Sequence, residues 1–89
     1  MDIEDGKIAV KLARESIETF IRDGRQTDVV RKTPFGEERG VFVTINKDKQ
    51  LRGCIGYPYP IKPLGEAIVD SAINAATNDP RFPPLSVKE

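Results

Sequence analysis

The sequence predicts a small α+β fold, and three observations carry that prediction. Apolar residues recur at three- and four-residue spacing from Asp5 to Arg22, and they do so again from Pro63 to Thr77. Between these stretches the β-branched run Gly40-Val41-Phe42-Val43-Thr44-Ile45 is followed by a polar turn and a second strand-like segment that closes at Gly56. The expectation is a small antiparallel sheet, hairpin 40–56, packed by helices 5–22 and 63–77. The whole of 1–89 makes a single domain.

In the first helix, Ala9, Leu12, Ala13, Ile17, Phe20 and Ile21 share one face, while Lys11, Arg14, Glu15, Glu18 and Arg22 form a solvated one. Asp2 or Asp5 can cap its start, and Gly24 can end it in the left-handed conformation. Residues 25–38 lack periodicity and contain Thr33-Pro34-Phe35-Gly36, so they read as a loop. The apolar run 40–45 suits a strand covered on both faces. Asn46-Lys47-Asp48-Lys49-Gln50 turns the chain, and pairing Asn46 with Lys49 would put Phe42 opposite Gly53. Pro58, Pro60 and Pro63 forbid a continued strand, and Pro63 suits the first position of the second helix. In that helix Leu64, Ile68, Ala72 and Ala75 form one stripe, and Val69, Ile73 and Ala76 form the next. Its many alanines imply close packing, and Asn78 with Asp79-Pro80 ends it.

Two strands alone are marginal, and the outer edge of 40–45 would be sticky. Residues 25–38 or 82–89 should add a strand, or a missing C-terminal segment or another copy of the chain should complete the sheet.

Composition narrows the chemistry. The 14 basic and 14 acidic side chains cancel, which argues against non-specific nucleic-acid binding. No apolar run is long enough to span a bilayer, and the acidic start does not resemble a signal peptide, so no membrane role and a cytoplasmic location are expected. A lone cysteine fits a reducing compartment. The absence of histidine removes Cys-His pairs and His-containing metal sites from what this chain does alone. Glu66 and Asp70 lie four apart on a helix with no third ligand near in sequence, so neither a metal nor a cofactor is expected.

The most informative segment is Leu51-Arg52-Gly53-Cys54-Ile55-Gly56. Glycine inside a strand sacrifices packing and backbone entropy, so two of them three residues apart mean that a ligand or another backbone comes close. Together with Gly40 to Ile45, Pro63-Leu64-Gly65-Glu66-Ala67 and Ala75-Ala76-Thr77-Asn78-Asp79-Pro80-Arg81-Phe82-Pro83-Pro84-Leu85, this segment resembles the AMMECR family over essentially the whole chain. The resemblance implies a two-lobed α+β domain without a settled activity, often associated in prokaryotes with Memo-like and radical S-adenosylmethionine proteins. It also implies a longer domain, of which this chain is a C-terminally short, N-terminal part.

Each candidate site residue has a functional and a structural reading. Arg52, two residues from Cys54 and so on the same strand face, could hold a phosphate or carboxylate, or it could pair with Glu66, Asp70 or Asp79. Cys54 is either an activated thiolate or a small buried residue. Gly53 admits a ligand or the alanine-rich helix, and Gly56 admits a ligand or marks a turn before Tyr57-Pro58. Asp79 and Arg81 form an acid and a base at a cleft rim, or a salt bridge at a helix stop. Tyr57 contacts a ligand or covers the core.

These readings give a non-catalytic binding module as the first expectation, with a small anionic ligand or a protein partner at Arg52, Gly53, Cys54, Gly56, Tyr57 and Arg81. The rivals are an enzyme component acting on a nucleotide, nucleic acid or protein, with Cys54 or Asp79 as catalytic groups, and a motif that serves packing alone. Whether the chain is an enzyme stays open at this point.

Overall fold

A computed structural model describes residues 2–89, in the order α1 (Ile3–Asp23), β1 (Val41–Lys47), β2 (Gln50–Tyr57) and α2 (Leu64–Thr77). The fold is α+β, as the periodicities predict. Among the described residues, no helix is long and apolar enough to cross a membrane.

Helix α1 starts two residues earlier than the apolar pattern suggests, because Asp2 and Asp5 close a reciprocal cap. The Asp5 amide donates to Asp2 Oδ1 at 2.9 Å, and the Asp2 amide donates to Asp5 Oδ2 at 3.3 Å. Gly24 ends the helix at φ 69°, donating its N–H to the carbonyl of Phe20.

Helix α2 is the centre of the molecule: ten of its 14 residues are buried. Both apolar stripes are covered, since α1 packs on it from one side and both strands from another. Leu12, Phe35, Leu64, Ile68, Val69 and Ile73 make the main core, and Val43, Ala72 and Ala75 make a second cluster under the sheet. Burying one such aliphatic side chain is worth about 1.5–3 kcal/mol, so α2 draws most of its stability from packing.

Pro63 serves as the N-cap of α2 and not as its first helical residue; its ψ of 141° is extended. Residues 25–38 add no strand to the sheet, apart from one isolated bridge between Glu38 and Pro63. They seal the helix instead. The Leu64 and Gly65 amides donate to the carbonyls of Glu37 and Phe35 at 2.7 and 2.8 Å, and fully buried Phe35 anchors the loop. A Cβ at Gly65 would collide with the carbonyl of Val30, which explains the glycine.

The hairpin register differs from the expected one. Lys47 pairs with Gln50, so the turn is the two-residue Asp48-Lys49 loop with φ of 53° and 66° at its two positions, the left-handed geometry that matches strand twist. Phe42 therefore faces Gly56 and not Gly53, which pairs with Ile45. Gly56 is a strand residue, not a turn: a Cβ there would meet the Phe42 ring and the carbonyl of Val41. Strand β1 is covered on one face only. Val43 is buried, but Phe42 is 61% exposed and Thr44 is exposed, because the helices occupy a single side of the sheet. Residues 82–89 form no strand either.

Candidate functional site

Strand β2 carries Leu51 to Gly56, and three groups of side chains gather along it. A register irregularity opposite Ile45 and Asn46 leaves Arg52 without a partner residue on β1, since Ile45 pairs with Gly53 and Asn46 with Leu51. A bulge of this kind breaks the two-residue alternation and re-aims a side chain. Arg52 and Cys54 accordingly go to different partners.

The Arg52 guanidinium grips the Glu89 carboxylate in a fork, Nε to Oε2 at 3.0 Å and Nη2 to Oε1 at 3.1 Å. Lys47 Nζ adds a third donor at 3.1 Å, and the Ser86 amide a fourth at 3.2 Å. None of Glu66, Asp70 and Asp79, the partners expected for Arg52, takes that place; the tail after α2 folds back and delivers Glu89. The Glu89 carboxyl is held down to about 2 from its ordinary 4.5, first by the Arg52 hydrogen bonds and then by Lys47. The pair is largely sheltered, with side-chain exposures of 13% for Arg52 and 17% for Glu89. The remaining nitrogen, Arg52 Nη1, is buried without an acceptor.

The second group surrounds the backbone of Cys54. Asp79 Oδ2 accepts the Cys54 N–H at 3.0 Å, and Arg81 Nη2 donates to the Cys54 carbonyl at 3.5 Å. The two side chains are themselves joined, Arg81 Nη2 to Oδ2 at 2.7 Å and Nε to Oδ1 at 3.0 Å, and the Arg81 amide also donates to Oδ1 at 3.0 Å. Asp79 and Arg81 thus behave as one extra strand residue, satisfying both polar groups of Cys54 on the free side of β2. The Asp79 carboxyl is held well below the usual carboxylate range, chiefly by the side-chain hydrogen bonds from Arg81, against the opposing pull of burial. The cap at the end of α2 is Asn78, whose N–H donates to the carbonyl of Asn74. The Cys54 thiol is half-buried, with Sγ 3.4 Å from Thr44 Oγ1.

Gly53 faces α2. A Cβ there would run into the carbonyl of Ala75, so the helix backbone fills the space that glycine leaves. Tyr57, at the far end of β2, belongs to a third group: Lys62 Nζ donates to its hydroxyl at 3.3 Å and to Asp70 Oδ2 at 2.6 Å, and lies 4.5 Å from the ring centroid.

The structure therefore brings Cys54, Asp79 and Arg81 together and sets Tyr57 apart. Phe82 links the first two groups, with the Arg52 and Arg81 guanidinium carbons 5.9 and 5.5 Å from its ring centroid. Sequence reasoning missed Glu89, Lys47 and Lys62. Long-range pairs of this kind leave no periodic trace, whereas the one-residue spacing between Asp79 and Arg81 was a usable signal.

Comparison with known proteins gives a consistent picture. The family model described as AMMECR1 matches residues 10–89. A protein of Methanococcoides burtonii is 52% identical over 90 aligned residues, which cover 100% of this chain and 45% of the relative. Protein MK0488 of Methanopyrus kandleri is 50% identical, with 96% of this chain and 42% of the relative covered. The crystal structure of uncharacterized protein PH0010 from Pyrococcus horikoshii superposes with a TM-score of 0.92 at 43% identity, covering 100% of this chain and 47% of the other. The chain spans about half the length of the relatives it matches.

Proposed function

The chain belongs to the AMMECR1 family, and on that premise we propose that it is a non-catalytic binding module whose hairpin presents a carboxylate receptor built from Arg52 of the motif strand and Lys47 of β1. One observation carries the reading: a carboxylate already sits there, that of Glu89, held by the Arg52 fork, Lys47 and a backbone amide. Planar, two-point recognition of this kind is what a guanidinium does best. Glu89 is the internal stand-in for the anion that a small ligand or a partner segment would bring. The unpartnered Arg52 Nη1 gives the receptor a donor to spare.

The enzymatic alternative draws less support from these side chains. Asp79 is ionised and accepts four hydrogen bonds, so it neither donates a proton nor has a free lone pair with which to take one. Among the described residues, the hydrogen-bond partner of the Cys54 thiol is the Thr44 hydroxyl, which is not a base.

The test uses Glu89→Gln, which empties the receptor of its charge, with the Arg52 Nε–Hε resonance followed by NMR. Adding blocked glutamate or inorganic phosphate at millimolar concentration should shift that resonance saturably. Arg52→Met in the same background should abolish binding of either probe, which is then read on neighbouring backbone amides. An Arg52 resonance that stays fixed in Glu89→Gln while the fold is intact would overturn the proposal and leave a purely structural ion pair.

A further inference from the structure

Of the four N–H donors around the Glu89 carboxylate, three belong to the hairpin. Arg52 Nε and Nη2 come from β2 and Lys47 Nζ comes from β1, whereas the Ser86 amide travels with the tail that carries Glu89 itself. The hairpin thus offers any other occupant three donors and two positive charges. A carboxylate matches neither number, having two oxygens and one charge. Glu89 Oε2 is in consequence shared between two cations, Arg52 Nε at 3.0 Å and Lys47 Nζ at 3.1 Å, while Oε1 takes Arg52 Nη2.

The surroundings have the same sign. Arg52, Lys47 and Glu89 line the end of a groove of about 690 Å³ between α1 and β1, and the other charged residues along it are Arg14, Glu18 and Arg22. Arg22 is paired with Asp23. Once Glu89 is set aside, Arg14, Lys47 and Arg52 therefore stand against Glu18 alone. The place itself is small, since the Arg52 side chain is only 13% exposed and one carboxylate fills its fork. A chain with 14 basic and 14 acidic side chains also lacks the excess charge that tracks an extended polyanion.

Building on the receptor proposed above, we infer that the anion for which Glu89 stands in is the phosphoryl group of a small, free phosphomonoester. Such a group has three terminal oxygens and a charge of about −1.5 to −2 at pH 7. Two oxygens lie along the Arg52 edge, as those of Glu89 do, and the third turns out of their line toward Lys47 on the neighbouring strand. Each hairpin donor then has an oxygen of its own, and both cations are neutralised. The planar carboxylate cannot divide its oxygens in this way. A phosphodiester, with one charge and two free oxygens, is matched no better than a carboxylate, which sets the backbone of nucleic acid apart from this site.

The experiment titrates the 89-residue chain carrying Glu89→Gln with methyl phosphate, dimethyl phosphate and acetate at pH 7.5, reading affinity from the backbone amides of β1 and β2 by NMR. Methyl phosphate should bind about 10-fold or more tighter than either of the others. Acetate binding as tightly as methyl phosphate would overturn the inference and leave the carboxylate reading in place, whereas a folded variant that responds to no probe removes the receptor and the inference together. Adding Lys47→Met should erase most of the gap, because only the monoester gives Lys47 an oxygen to itself; an undiminished gap would count against the inference. A blocked phosphoserine tripeptide that binds about 10-fold tighter than methyl phosphate would assign the site to a phosphorylated partner and overturn the choice of a free small molecule. Where Glu89→Gln does not fold, the wild-type chain is used with its Glu89 carboxyl carbon labelled. Methyl phosphate should then move that resonance toward its free position at concentrations where acetate does not, and an equal effect of the two would overturn the inference.

Discussion

The free sides of β2 and β1 belong to the same hairpin yet are treated in opposite ways. Along β2 the chain closes its own edge, with Asp79 and Arg81 standing in for a neighbouring strand at Cys54 and the Ala75 carbonyl pressed against Gly53. Along β1 the outward N–H and C=O groups of Phe42 and Thr44 meet no partner among the described residues, and the apolar stripe of α1 is half-covered. Both strands are apolar and of similar length. The difference lies in the path of the chain downstream of them: the tail after α2 bonds the outward backbone of β2 at Cys54, whereas it reaches β1 only through the side-chain pair of Glu89 with Lys47. Edge protection in this fold is therefore a property of the connection, not of the strand.

The largest effect is expected on the closed side. Gly53→Ala should cost about 3 kcal/mol, because the added methyl must push the α2 backbone away from the sheet. Urea unfolding would measure it, and a loss under about 0.5 kcal/mol would mean that the helix does not pack where it is described. Next in size is Asp79→Asn, which leaves Cys54 and Arg81 with weaker partners and should accelerate exchange of the Cys54 amide well before that of α2.

Acid titration probes the same closed edge. The folded-state pKa values of Asp79 and Glu89 both lie below their ordinary values of 3.8 and 4.5, so the stability they contribute is present above those values and is lost as pH falls through the folded ones. For Glu89 the window runs from 4.5 down to about 2. Glu89→Gln should flatten the stability profile in that interval, and a profile as steep as the wild type would show that the Arg52 fork adds nothing. On the open side Val10→Gln should change stability by no more than about 0.5 kcal/mol, since Val10 is 70% exposed on the groove wall. A loss of about 2 kcal/mol on thermal melting would mean the groove is already filled.

The helices, the hairpin and the ends of α1 were legible because they rest on local physics: periodicity, an aspartate cap and a glycine stop. The family motifs were legible as strings. The register was not, because the polar segment 46–50 admits turns shifted by one residue, and only the twist preference for two left-handed residues selects Asp48-Lys49. The partner of Arg52 was not legible for a different reason. Several carboxylates were within reach of a folded chain, and the choice depended on how residues 79–89 travel back along β2. The two motif glycines had different structural readings in the sequence: the helix expected beside Gly53 is there, with its Ala75 carbonyl, whereas Gly56 sits in the strand against the Phe42 ring and not in a turn.

The Asp48-Lys49 turn governs timing as well as shape. A two-residue loop brings together segments close in sequence, and hairpins of this type close in about 1–10 μs, whereas contacts from β2 to residues 79–89 must wait for a loop of 25 residues or more. The motif strand is thus zipped to β1 before its other neighbours arrive. Neither turn residue is glycine, so closure works against the reluctance of Asp48 and Lys49 to adopt positive φ. Lys49→Gly should relieve that reluctance and speed refolding in stopped-flow experiments while leaving the unfolding rate nearly unchanged. The short turn thus sets the order of contacts around the motif strand: its β1 neighbour is within reach long before the tail that closes its other side.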